Sequence, residues 1–148
     1  MLAFGRAYHQ EHLDKQADGG LAFEMGREMY VHGLGIADIV SVFISPRKLV
    51  LHAFEMKIKD WRKALSQAYR YKYYADAAYV VLPPDEAAKA EQSLTVFQTI
   101  NVGLWAFDKE ENCIKKIHNP RKDNPISNAA YKKAVACLSR HFKSLPVF

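Results

Sequence analysis

Cysteine is nearly absent from this chain: the two that occur, Cys113 and Cys137, are far apart and form no C-x-x-C or Cys/His ligand spacing. Neither a disulfide framework nor a zinc site is therefore expected. Long apolar runs are missing too. No segment approaches a membrane span, and Met1-Leu2-Ala3-Phe4-Gly5-Arg6 is too briefly apolar for a signal peptide. A reducing, cytoplasmic (intracellular) setting without membrane contact is the expectation. Internal repeats and low-complexity tracts are also lacking.

What is present is ordinary for a folded domain. Hydrophobic residues make up 49% and charged residues 25% of 148 positions, enough for one domain over residues 1–148 to bury a core without staples. The formal net charge of +5 is unevenly spread. Residues 57–72 carry six Lys/Arg against one acid, and residues 109–148 carry nine against three, so the remainder is net acidic. Two basic segments of this kind suit a polyanion-binding face; the competing reading is lysines that only keep the surface solvated.

One stretch organises the rest. Ile36 to Ile44 and Leu49 to Lys57 are dense in Val, Ile, Leu and Phe and free of Gly and Pro, so both are expected to be strands. Between them Ser45-Pro46-Arg47-Lys48 places Pro where its fixed φ suits a type I turn. If Ile44 faces Leu49, Val42 pairs with Leu51, Val40 with Ala53 and Asp38 with Glu55, with Lys57 one pleat further on the same face. Opposed carboxylates repel. They need a cation, either Lys57 or a hard divalent metal such as Mg²⁺. The simpler alternative is a solvated charge cluster at the open end of a hairpin.

Around this hairpin the expected order is helix, strand, strand, strand, helix, strand, helix, hairpin, helix. The first helix spans residues 3–16 on a weak stripe of Phe4, Ala7, Tyr8 and Leu13, and Glu28-Met29-Tyr30-Val31, before the Gly33-Leu34-Gly35 turn, reads as a first strand leading into the hairpin. Asp60 is a candidate N-cap for a helix with Trp61, Ala64, Leu65, Ala68, Tyr71 and Ala75 at helical spacing, and with Gln67 and Tyr71 sharing a face. Ala77 to Leu82 reads as a buried strand. A helix follows from Asp85 through Leu94, a hairpin pairs residues 103–107 with 113–117, and the last helix runs from Ser127 to His141. The expected fold class is α/β, a mixed central β-sheet flanked by helices. His32 and His52 are isolated, and His52, on the face opposite Glu55, reads as structural.

Gly35-Ile36-Ala37-Asp38, Glu55-Met56-Lys57 and Gln67-Ala68-Tyr69-Arg70-Tyr71 together resemble the motifs of the PD-(D/E)xK, or restriction-endonuclease-like, nuclease superfamily. The last is similar to the Q-x-x-x-Y element of its RecB-like branch. Ala37 stands where the family name has Pro. The resemblance implies a restriction-endonuclease-like core and a Mg²⁺-dependent nuclease acting on DNA, with Mn²⁺ as a substitute and no small-molecule cofactor. It further implies metal ligation by Asp38, Glu55 and the backbone carbonyl of Met56, with Lys57, Gln67 and Tyr71 completing the catalytic set. A further acid, which many members supply from an early helix or strand, would be Glu28, with Glu11 behind it. Arg62, Lys63, Arg70 and Lys72 are the candidates for phosphate contacts, and a homodimer would supply two sites for two strands. A non-catalytic nucleic-acid-binding or scaffold module on the same fold, and a basic α/β interaction domain, are the readings from other classes.

Overall fold

The computed structural model describes residues 2–31, 33–142 and 145. His32 lies outside the described residues. In chain order the elements are α1 (Leu2–Ala17), β1 (Phe23–Val31), β2 (Gly35–Ile44), β3 (Leu49–Met56), α2 (Trp61–Tyr71), β4 (Ala77–Leu82), α3 (Pro84–Glu91), α4 (Leu94–Ile100), β5 (Gly103–Asp108), β6 (Cys113–His118) and α5 (Asn128–His141).

Local chemistry explains most of the boundaries. Gly33, between β1 and β2, and Gly35, the first residue of β2, take positive φ, a conformation open to glycine at little cost. The Asp60 side chain accepts from the Lys63 N–H and caps α2, and Ser127 does the same for the Ala130 N–H at the start of α5. Pro84 sits at the first position of α3, where no N–H is needed. Where a single helix was expected beyond Asp85, the chain makes two: α3 ends at Glu91, and after Gln92 and Ser93 a second helix, α4, begins. The break places Phe97 in the core.

All six strands form one mixed sheet in the order β1-β2-β3-β4-β5-β6. The pairs β1/β2, β2/β3 and β5/β6 are antiparallel, and β3/β4 and β4/β5 are parallel. The two parallel pairs are joined by α2 and by α3 with α4. Right-handed crossovers that advance in one direction put their helices on one face, and α5 joins them there, packing on β1.

The two faces of the sheet have different chemistry. Beneath α2 to α5 the core is mostly aliphatic, built from residues such as Val40, Val42, Leu51, Val80 and Leu104 with Ala64, Ala68, Ala87, Ala90 and Leu138 of the helices. On the opposite face α1 buries Phe4 and Tyr8 against Ile39, Phe54, Tyr79 and Trp105. Leu13, expected on the buried stripe of α1, is exposed. The helix is held by a few aromatic contacts and by a hydrogen bond of 2.8 Å between the Tyr8 and Ser41 hydroxyls. Among the described residues no helix is long and apolar enough to cross a membrane.

Candidate functional site

The β2/β3 ladder follows the expected register, with Ile44 opposite Leu49, Val42 opposite Leu51 and Val40 opposite Ala53. It stops at Ile39 and Phe54, one rung before Asp38 would meet Glu55. The cause is a slip in strand phase. Val40 and Val42 face the aliphatic core and Ile39 the aromatic one, yet Ala37 is back on the aliphatic side. Strict alternation would have put Ala37 with Ile39, so the chain inserts one residue's worth of rotation at Asp38. Opposite it in the β1/β2 count stands Glu28, which is absent from the ladder and has φ of 53°. Both strands slip together, and β1 and β2 stay paired on either side.

The slip gives Asp38 a partner other than a cross-strand side chain. Its Oδ2 accepts the Met56 backbone N–H at 2.7 Å. A residue in a strand sends its N–H and C=O out on the same side, so Met56 also directs its carbonyl toward β2, beyond the last paired rung. The Lys57 N–H turns the other way, to the Val81 carbonyl of β4. Asp38 and the Met56 backbone are thereby fixed next to each other where β2 and β3 part.

Glu55 projects toward α2 and is only 4% exposed. The Tyr71 hydroxyl lies 2.6 Å from its Oε2 and 2.7 Å from the Ile36 carbonyl, so one phenol ties β3 to the strand residue two before Asp38. Lys57 Nζ is 4.0 Å from Glu55 Oε1. Burial pushes the Glu55 carboxyl up to about 7; the Tyr71 hydrogen bond opposes that rise, the Asp38 charge adds to it, and Lys57 opposes it. Gln67, one helical turn before Tyr71, has its amide oxygen buried without a hydrogen-bond partner. A buried acceptor without a donor is costly and suits a site that takes a cation or a donor from outside.

Asp38, Glu55, Lys57 and Tyr71 are thus brought together, with Met56 between them through its backbone. Glu28 is exposed on β1, and Glu11 is tied to Lys15 at 3.0 Å and to Lys116 of β6 at 2.6 Å. Among the described residues no group of three or more His, Cys, Asp or Glu stands close enough to hold a metal ion. Two carboxylates and a carbonyl remain, a donor set of hard oxygens that fits a Mg²⁺-like cation keeping several waters.

Of the basic residues of α2, Arg62, Lys63 and Arg70 are exposed, and Arg62 rests its guanidinium 4.4 Å from the centre of the Trp61 ring. Lys72 is a correction. It is 6% exposed and donates at 2.8 Å to the Ile100 carbonyl at the end of α4, with its pKa lowered by burial. Its ammonium serves an otherwise orphaned helix-end carbonyl and does not face solvent. His52 lies among Phe43 and Tyr79 on the aromatic side, away from Glu55, as expected of a structural histidine.

A groove of about 820 Å³ opens beside Asp38, Met56 and Lys57, and its walls include Arg6 of α1 and Phe107 and Lys109 at the end of β5. No spacing rule links positions 6, 38, 57 and 109, so nothing in the sequence pointed to Arg6 and Lys109. No family model matches the chain, and no curated protein matches it.

Proposed function

We propose that this chain is a metal-dependent nuclease with a restriction-endonuclease-like core, hydrolysing DNA phosphodiester bonds in the groove beside Asp38. The observation that carries the reading is that, where β2 and β3 part, the Met56 backbone holds Asp38, Lys57 stands beside Glu55, and the Asp38 charge acts on the Glu55 carboxyl. Mg²⁺, or Mn²⁺ in its place, held by Asp38, Glu55 and the Met56 carbonyl, would supply charge neutralisation at the phosphate and a more acidic water. The chain's own residues do the rest. The Met56 N–H holds Asp38 in one orientation, and Tyr71 does so for Glu55. Lys57, 32% exposed in its side chain and on the groove wall, orients the attacking water or a phosphate oxygen. Arg62, Lys63 and Arg70 contact phosphates along the strand.

One observation favours a second reading, a nucleic-acid-binding module without turnover: no third acid joins Asp38 and Glu55 among the described residues. The two readings part on Lys57→Ala. Supercoiled, linear, single-stranded and four-way-junction DNA are incubated with wild type and variant in Mg²⁺, and retention is measured separately in Ca²⁺ or EDTA. The nuclease reading expects cleavage by wild type, none by the variant, and affinities within a few-fold, because the lysine acts on the chemical step. Wild-type binding without cutting favours the module, and equal cutting by both places the chemistry elsewhere.

A further inference from the structure

A second concave surface lies away from the carboxylates, where α2 meets α4. Trp61 and Phe97 pack across this junction with ring centres 5.7 Å apart. Above them is a groove of about 350 Å³ walled by Trp61, Arg62 and Tyr69 of α2 and by Val96 and Ile100 of α4. Val96 is 45% exposed and Tyr69 39%, and Tyr73, one turn beyond, is 38% exposed with its ring 6.4 Å from that of Tyr69. These partly exposed side chains give the groove an apolar, aromatic rim.

The charges identify the occupant. Helical spacing places Arg62, Ser66 and Tyr69 of α2 in one stripe, which Tyr73, in the turn beyond the helix, extends through its ring contact with Tyr69, and Lys63 and Arg70 lie in the stripe beside it. Neither α2 nor α4 contains a single acid. A second copy meeting this surface across a two-fold axis would set the patch against itself, bringing Arg62, Lys63 and Arg70 toward their own counterparts. A duplex stacks the faces of its bases on one another and presents only their edges and the backbone, so it gives aromatic side chains no ring face to stack on. Unpaired nucleobases on a phosphodiester chain match both properties, since flat rings stack on aromatic side chains while the backbone follows the cations.

We propose that the α2–α4 groove seats unpaired bases of a single strand, with Tyr69 and Tyr73 stacking bases and Arg62, Lys63 and Arg70 holding the phosphates. It rests on the phosphate contacts of the nuclease reading and adds recognition of strandedness, which delivers an unpaired segment to the protein.

The test is fluorescence anisotropy in EDTA, where no cutting occurs, with a short oligothymidine, an abasic strand of equal length and a matched duplex. Wild type is expected to bind oligothymidine about ten-fold or more tightly than the abasic strand, from the usual contribution of stacking per base. The Tyr69→Ala/Tyr73→Ala variant loses that preference and keeps its affinity for the abasic strand, whereas Tyr69→Phe/Tyr73→Phe retains it. Both rings are partly exposed, and thermal melting of each variant is read alongside. Equal binding of thymidine and abasic strands by wild type overturns the proposal, as does a preference that survives the double alanine change. A change in sedimentation instead of base preference gives the groove to a second copy and overturns it too. Absence of cleavage by wild type in a separate Mg²⁺ assay, with its base preference in EDTA intact, counts against the nuclease reading only.

Discussion

The Tyr71 hydroxyl stands between two acceptors, 2.7 Å from the Ile36 carbonyl and 2.6 Å from Glu55 Oε2. A phenol has one proton to give. With Glu55 ionised, that one proton is shared between the two acceptors, and the bond to the carboxylate opposes the burial that pushes the Glu55 carboxyl up to about 7.

Glu55 makes stability depend on pH, which gives the first prediction. A carboxyl whose folded pKa lies above its unfolded value binds more protons folded than unfolded, so its contribution to stability is full below about pH 4.5 and is lost as pH rises through about 7. Ionised Glu55 therefore costs the fold on the order of 3 kcal/mol at alkaline pH. Glu55→Gln is expected to raise the urea midpoint at about pH 8 and leave it nearly unchanged at about pH 5. The same change abolishes Mn²⁺ binding in calorimetry, and in wild type that binding weakens as pH falls below about 7 and releases a proton. Unchanged Mn²⁺ affinity in Glu55→Gln removes Glu55 from the ligand set.

The second concerns the basic residues of α2. Neutralising Arg62, Lys63 and Arg70 together should lower the slope of log K against log salt for duplex DNA by about 0.9 per lost contact. Lys72→Ala should leave that slope alone and instead cost about 1 to 3 kcal/mol of stability, because the Ile100 carbonyl loses its donor. A salt slope that moves with Lys72 would return it to the phosphate-binding face.

Glu28 gives the third. A side chain at φ of 53° carries strain that glycine avoids, so Glu28→Gly is expected to stabilise the protein by about 1 kcal/mol. Mn²⁺ affinity should not change. A drop of several-fold in that titration would make Glu28 the missing acid.

The fourth is acid sensitivity from the aromatic face. Burial lowers the pKa of both His12 and His52 to about 4, with Asp76 opposing the shift at His52. These bases stay neutral in the fold while the unfolded chain takes protons from about 6.5 downward, so stability is full above that value and falls toward pH 4. His52→Phe, which keeps the ring contacts with Phe43 and Tyr79, should flatten the decline in a urea series between about pH 7 and 4.5. An unchanged slope assigns the acid sensitivity elsewhere.

The hairpin was legible because apolar alternation and a Pro-containing turn leave little freedom in register, and Asp60 because an N-cap is a local event. The slip at Asp38 was not, since it depends on the backbone of Glu28 in the neighbouring strand and leaves no mark in residue types. Lys72 misled for a different reason. Helical spacing placed it among exposed cations, but its partner belongs to α4, a helix that the mixed residues 94–100 did not announce. The weak stripe of α1 understated Phe4 and Tyr8 because their contacts come from Phe54 and Trp105, far along the chain.

The two tryptophans lie on opposite faces of the sheet, Trp61 with Phe97 among the helices and Trp105 with Phe54 and Tyr79 beneath α1. Each emits from a different layer. Replacing Trp105 with Phe leaves a lone indole next to Arg62, and replacing Trp61 leaves one whose N–H is held by Asn119. The pair of single-emitter proteins thus times the loosening of α1 and of the helical layer separately, so a denaturation curve can tell whether the sheet loses both coverings in one step or sheds its aromatic side first.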